Sequence, residues 1–262
     1  MSGYISYTDI VNNLDINPGD IVLIGSDITH LVLETLKNGE KFDSNIFIDS
    51  FINKIGTNGT LLFPTYNWGF CSGDTFDYNK TASLTGSLTN AALKRKDFIR
   101  TKHPIYSFAV WGKDRQLLFE LENKSAFGED SPFSYLIRSK GKMLLIGIDY
   151  QCSFTFVHHV EEMEKVNYRF MKDFTGTYID ERGHSSMRTY SMYVRDLNKG
   201  VVAHINPIGQ KMEELGVSSL KKINNVEFYL IDLHRAFKVI QDDIRLNSAQ
   251  NLYKIQKSED DV

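Results

Sequence analysis

Lys142-Met-Leu-Leu-Ile-Gly-Ile148 is an apolar run of strand length, and a short polar link joins it to Thr155-Phe-Val-His158-His159-Val-Glu161-Glu162. Such a run carries no alternation, as expected of a parallel strand buried on both faces. Beyond it, Val160, Met163 and Val166 recur at helical spacing, which puts a helix start near Thr155. His158 and Glu161 then share one helix face. An imidazole oriented by a carboxylate at the end of a strand is a standard general base near neutral pH. His159 and Glu162 have the same spacing, however, and Glu161, Glu162 and Glu164 read equally well as a solvated acidic face. Spacing alone leaves the base open between the two histidines.

The pattern of strand followed by helix extends along the chain. Asp20-Ile-Val-Leu-Ile-Gly-Ser26 reads as a first strand, with helical patterns around Leu31–Leu36 and Asn45–Ile55. Leu61-Leu-Phe63 begins a second strand that ends at Pro64. Ser87–Lys96 reads as a helix, Ser107–Trp111 as a strand, and Leu117–Leu121 and Pro132–Ile137 as short helices. This alternation predicts an α/β fold with a mixed central sheet flanked by helices. After Tyr168 the texture changes. Arg169–Ile179 and Ser186–Val194 flank Glu181-Arg-Gly-His184 as an antiparallel hairpin, a small β-subdomain. Asn206–Leu215 follows as a helix with Pro207 in its first turn, then a strand over Val226–Leu233 and an amphipathic helix over Arg235–Leu246. One domain over 1–250 is expected, with a charged C-terminal tail over 251–262.

The segment Tyr66–Leu84 has little periodicity and is rich in Gly, Asp, Asn, Thr and aromatic residues. A loop this long inside a compact domain is more often functional than idle. Trp68, Phe70, Phe76 and Tyr78 either pack this loop on itself or wall a pocket.

Composition excludes several classes. With 30 basic and 33 acidic residues the net charge is −3, so no basic field exists for nucleic acid. The apolar runs are strand-sized, too short to span a bilayer. The first residues lack the basic and apolar regions of a signal peptide, so a cytoplasmic location is expected. Cys71 and Cys152 are the two cysteines, which gives neither a disulfide framework nor a cysteine metal site. No Gly-Lys-Ser/Thr phosphate loop, Gly-x-Gly-x-x-Gly, Gly-x-Ser-x-Gly or His-Glu-x-x-His motif occurs.

A set of segments, in order, resembles one family. They are Gly19-Asp20-Ile-Val-Leu-Ile-Gly-Ser26, Gly59-Thr60-Leu-Leu-Phe-Pro64-Thr65 and Thr81-Ala-Ser83-Leu-Thr-Gly86. After these come Arg100-Thr-Lys-His103-Pro104-Ile-Tyr-Ser107, Phe127-Gly128-Glu-Asp-Ser131-Pro132, Leu144-Leu-Ile-Gly147, Thr155-x-x-His158-x-x-Glu161 and Tyr168-Arg169. Together they resemble the aminoglycoside 3-N-acetyltransferase family, which includes acyltransferases of nucleotide-linked amino sugars. The resemblance implies acetyl-CoA or another acyl-CoA as co-substrate, an amino group as acceptor and no metal. It implies His158 and Glu161 as catalytic residues. Ser26, Arg100, Ser107 and Thr155 are placed on the cofactor side and His103 on the acceptor side; Asp27, in the turn after the first strand, and Tyr66, at the start of the long loop, are further candidates on the acceptor side.

Where the aminoglycoside enzymes of the family usually carry His-Ser-Ser after the first strand, this chain has Gly25-Ser26-Asp27. That form resembles the branch acting on nucleotide-linked amino-deoxysugars, as in anthrose biosynthesis. The expected function is therefore N-acylation of such a sugar by direct transfer, with the aminoglycoside reaction as the alternative. A homo-oligomer is compatible with this reading. Backbone N–H groups near the helix start at Thr155 are the expected oxyanion donors. Simpler roles remain for individual residues: Asp27 as a helix cap, His103 as a strand entry before Pro104, and Arg100 as a structural ion pair. Two other classes stay in view, a metal-dependent hydrolase using His103, His158, His159 and Glu162, and a non-catalytic binding protein.

Overall fold

The computed structural model describes residues 3–256. The strands, in chain order, are β1 (Ile21–Ser26), β2 (Thr60–Pro64), β3 (Phe76–Asp77), β4 (Ile99–Arg100), β5 (Phe108–Gly112) and β6 (Lys142–Ile146). They continue with β7 (Arg169–Ile179), β8 (Ser185–Arg195), β9 (Val201–Ala203), β10 (Ser218–Ile223), β11 (Val226–Asp232) and β12 (Tyr253–Ile255). Seven of them form one sheet in the order β10-β11-β6-β1-β2-β5-β4. β1 runs parallel to both β2 and β6, whereas β11, β10, β5 and β4 join antiparallel. The central sheet is mixed, as the sequence predicts.

The central runs lack alternation because both faces of the sheet are covered. Val22, Ile24, Leu61, Phe63, Leu144 and Ile146 point into one core, with Phe47, Phe51 and Leu88 from the helices Ser44–Ile55 and Ser87–Lys94. Their neighbours Leu23, Leu62, Met143 and Leu145 point into the other, with Phe133, Val160, Ala236 and Ile240. Local chemistry fixes the helix ends. Asp43 caps Ser44–Ile55 by accepting the N–H groups of Asn45 (2.7 Å) and Ile46 (3.3 Å). Asp232 caps Leu233–Leu246 through the N–H of Arg235 at 3.0 Å.

The hairpin β7–β8 forms as expected, with Arg169 opposite Arg195 at its base. β3, from the long loop, adds parallel to β7, so the small sheet has three strands and ties that loop to the hairpin. β12 pairs antiparallel with β9, so the chain just beyond residue 250 stays within the fold. The charged stretch 257–262 lies outside the described residues.

The carboxyl ends of β1 and β6 lie side by side, where ligands bind in many open α/β sheets. Gly147, just past β6, has φ 62°, and a Cβ there would sit 2.4 Å from the Asp27 carbonyl oxygen. Only glycine lets the two strand ends approach this closely.

Candidate active site

The centre of the site is a buried carboxylate. The helix Val157–Met163 directs Glu161 inward, fully buried, and presents His158 one turn earlier at a partly open position. His158 Nδ1 lies 2.7 Å from Glu161 Oε2. Tyr168 donates its hydroxyl to Oε1 at 2.9 Å, and Arg169 Nε lies 2.8 Å from Oε2. With Glu161 ionised, Nδ1 carries the proton and Nε2 offers its lone pair. Nε2 makes no hydrogen bond among the described residues.

Electrostatics favours this state. Burial is the main cause that lowers the His158 pKa from its ordinary value, with Arg169 and Arg195 acting the same way, while Glu161 opposes them. The side chain keeps 21% of its surface, so the imidazole is not sealed inside the core. For Glu161, burial raises the pKa, but Arg169, His158 and the Tyr168 hydroxyl together outweigh it and the net shift is downward. Burial and the Glu161 charge push the Tyr168 hydroxyl far up, so it stays a donor.

The geometry distinguishes the two histidines. His159 is buried, its Nδ1 lies 2.7 Å from the Phe127 carbonyl, and burial lowers its pKa to about 4. Glu162 does not pair with it and accepts from Ser125 Oγ instead, at 2.8 Å. Among the described residues no three His, Cys, Asp or Glu side chains are grouped to hold a metal ion. His103, His158, His159 and Glu162 are each engaged separately, so the metal-hydrolase alternative gains nothing from their placement.

A cleft of about 520 Å³ opens at the ends of β1 and β6, lined by Ser26, Asp27, Tyr66, Trp68 and Thr155 among others. Ser26, Asp27, Tyr66 and Thr155 are thus brought together as the sequence anticipates. Asp27 is exposed, and one of its oxygens accepts the N–H of Thr29 at 2.9 Å, an Asx turn into the next helix. Tyr66 packs on Tyr106 with ring centroids 4.5 Å apart. Trp68, 41% exposed, donates its indole N–H to the Tyr106 hydroxyl at 3.2 Å. The Tyr106 ring in turn contacts Phe127, whose ring meets the edge of His158. An aromatic path therefore links the cleft rim to the dyad.

Arg100, His103 and Ser107 do not reach the cleft, and the geometry does not support the cofactor and acceptor contacts expected of them. Arg100 is buried and donates to Ser107 Oγ (2.9 Å) and to the carbonyls of Thr81 (2.6 Å), Thr65 (3.2 Å) and Tyr78 (3.3 Å). Its guanidinium also lies over Phe76, and burial lowers its pKa to about 10. It anchors the loop that carries Tyr66 and Trp68. Ser107 is shared between Arg100 and Thr65. His103 Nδ1 accepts the N–H groups of Ile105 and Tyr106, and burial lowers its pKa to about 3, so it shapes a turn as a neutral ring.

The expected oxyanion donors near Thr155 are also largely spent. The N–H groups of Thr155, Val157, His158 and His159 donate to the carbonyls of Ser153, Phe154, Thr155 and Phe156. Sequence reasoning gave no role to Tyr106, Tyr168, Arg169 or Arg195. The adjacent pair Tyr168-Arg169, directly after the helix, was the available signal for two of them.

A family model described as aminoglycoside 3-N-acetyltransferase matches residues 29–244. Among solved structures, AAC-IIIb in binary complex with CoASH superposes with a TM-score of 0.79 at 16% identity, covering 94% of this chain and 98% of that one. Sisomicin-bound AAC-VIa gives 0.77 at 18% identity, covering 94% and 99%. The YokD protein from Bacillus subtilis gives 0.76 at 19%, covering 96% and 97%. At these identities the likeness establishes the fold. No curated protein sequence matches the chain.

Proposed function

The chain belongs to the aminoglycoside 3-N-acetyltransferase family, and we propose that it transfers an acyl group from acyl-CoA to the amine of an amino sugar, with His158 as general base. The observation that carries this reading is His158 itself, with Nδ1 held by a buried carboxylate and Nε2 free. In the reaction the neutral amine attacks the thioester carbonyl, a C–N bond forms and the C–S bond breaks. The amine proton passes to Nε2, and CoA leaves as the thiolate. Glu161 stabilises the imidazolium formed. CoASH in the related AAC-IIIb supports acyl-CoA as the donor, and Ser26 and Thr155 lie on the cleft wall where its thioester arm would enter.

Direct transfer is favoured because no thiol is poised to attack. Burial pushes Cys71 up to about 11, and Cys152 is raised chiefly by its contact with Asp149. The Cys71→Ser/Cys152→Ser variant should keep wild-type turnover. Intact-mass measurement after incubation with acyl-CoA alone should show no added acyl group; a stoichiometric adduct would refute direct transfer.

For the acceptor we favour a nucleotide-linked amino-deoxysugar. Among the described residues Asp27 is the one carboxylate on the cleft wall, which suits a single ammonium better than a polycation. Arg195 supports an anionic acceptor. It is exposed, makes no ion pair among the described residues, and sits opposite Arg169 on the hairpin, where like charges disfavour each other. Glu161 neutralises Arg169, which leaves Arg195 as surplus positive charge beside the dyad. The second reading is an aminoglycoside acceptor, favoured by the family description and by sisomicin in AAC-VIa. A panel of nucleotide-linked amino sugars, unlinked amino sugars and aminoglycosides, assayed by thiol release from acyl-CoA, separates the readings. Preferred acetylation of an aminoglycoside would select the second.

Arg195→Gln gives a sharper comparison. A hydrogen bond to a charged group contributes about 1.5–3 kcal/mol, and exposure screens it. The KM for a nucleotide-linked acceptor should rise about 10-fold, with little change for the unlinked sugar. Equal changes for both would show that Arg195 does not meet the phosphates.

A further inference from the structure

The last strand of the described chain lies outside the segment matched by the family model, yet it packs against the residue that holds the Glu161 carboxylate. Tyr253, the first residue of β12, stacks on Tyr168 with ring centroids 3.9 Å apart and planes 21° from parallel. Tyr168 is the residue whose hydroxyl holds Glu161 Oε1, and Glu161 Oε2 holds His158. A continuous path thus runs from β12 through two rings and one hydrogen bond to the general base.

The strand is delivered there by a defined turn. After Leu246 the chain folds around Asp243, which is fully buried. That carboxylate accepts from Asn247 Nδ2 (2.8 Å), Asn251 Nδ2 (2.6 Å) and the Asn251 N–H (3.2 Å), while the Ala249 N–H takes the Asp243 carbonyl at 2.9 Å. Ser248 and Ala249 adopt φ of 52° and 57°, a left-handed conformation uncommon for such residues. Leu252 is fully buried, and β12 then pairs residue for residue with β9. Several independent contacts therefore set the place of the Tyr253 ring, not the stacking alone.

Resting on the reading of His158 as the base, we propose that Tyr253 is a positioning residue, through which the C-terminal strand sets the orientation of Glu161 and hence of the base. Tyr168 precedes β7 and reaches Glu161 from outside its helix. Its ring would turn about the side-chain bonds were one face not covered. If it turns, Oε1 loses its donor inside the protein, and the carboxylate, then held only through the Oε2 that His158 and Arg169 share, is free to rotate off the His158 Nδ1 line. The groups facing His158 are Glu161 from its own helix, Arg169 from β7 and Arg195 from β8. Weakening Glu161 leaves the two cations unopposed, so the His158 pKa moves further down.

The test compares Tyr253→Ala, Tyr253→Phe and Tyr168→Phe. Displacing a catalytic group by a fraction of an ångström to an ångström costs up to about 100-fold, so Tyr253→Ala should lower kcat about 10-fold with KM for acyl-CoA unchanged. Tyr253→Phe keeps the stack and should restore it. Tyr168→Phe keeps the stack but loses the hydroxyl, and should reproduce the loss even if Tyr253→Ala folds poorly. Nitrogen-15 NMR titration of the His158 ring in the full chain reads the same path without any substrate. The pKa should fall in Tyr253→Ala and Tyr168→Phe and return in Tyr253→Phe. An unchanged titration in Tyr168→Phe, or equal kcat for Tyr253→Ala and Tyr253→Phe, would overturn the proposal. A wild-type protein inactive on every amine would instead overturn the acyltransfer reading and leave the titration to judge Tyr253.

Discussion

His158→Asn is expected to lower kcat for acyl transfer by about 10²–10⁴, the usual scale for loss of a general base, while acyl-CoA binding measured by calorimetry stays unchanged. Asparagine can still donate toward Glu161, so the substitution removes the proton acceptor without stranding the buried carboxylate. Nε2 of the wild-type ring makes no competing bond among the described residues, and no other base shares the Glu161 carboxylate. The pH profile carries the same signature. Burial, reinforced by Arg169 and Arg195, holds His158 below its ordinary value of 6.5 despite Glu161. The enzyme's acid limb in kcat/KM should therefore lie below pH 6.5, and the base should be mostly neutral at pH 7. The Asn variant should lose that limb and retain only the rise from deprotonation of the substrate ammonium. Near-normal turnover in this variant would remove His158 from the chemistry.

The fold was legible wherever burial left a periodic mark. β1, β2 and β6 read as apolar runs because both faces are covered, and the Asn45–Ile55 pattern became the helix Ser44–Ile55 with its Asp43 cap. β10 did not register: Ser-Ser-Leu-Lys-Lys-Ile at the sheet edge is buried at its two ends and exposed between. β3 and β4 are two residues long and exist only through distant partners, which no local pattern encodes. In the site, the His158–Glu161 contact was legible only as one of two pairs at three-residue spacing on a helix; the resemblance, not the spacing, preferred it to His159 and Glu162. Arg195 was not legible, since its place depends on hairpin register and on Glu161 being committed to Arg169. Arg100, His103 and Ser107 show the opposite case. The resemblance put them on the cleft, but the same polar groups satisfy one another and the backbone inside the fold.

Glu161→Ala should be costly for the fold as well as for the reaction. Removing one partner of a buried ion pair costs about 3–5 kcal/mol, because the other charge stays behind uncompensated. Here the remaining charge is Arg169, 8% exposed, and across the ladder from it stands another arginine. The Tyr168 hydroxyl loses its acceptor in the same step. For a domain of this size each kcal/mol shifts the melting temperature by about 2–4 °C, so a fall of roughly 6–20 °C is expected by calorimetry. Glu161→Gln keeps the shape and an acceptor for Tyr168 and should lose less. The pH dependence separates charge from packing. Burial raises the Glu161 carboxyl, but Arg169, His158 and Tyr168 outweigh it, so its folded-state pKa is below the ordinary 4.5. A depressed carboxyl pKa contributes stability that is complete above the unfolded value and is lost as pH falls through the folded one. The stability gap between wild type and Glu161→Gln should therefore hold above pH 4.5 and shrink below it. The gap to Glu161→Ala should keep a remainder there, from the lost packing and the stranded hydroxyl. If Glu161→Ala melts at the wild-type temperature, Arg169 has found another partner and the carboxylate does not hold this part of the fold. Its effect on turnover would then have to be purely catalytic.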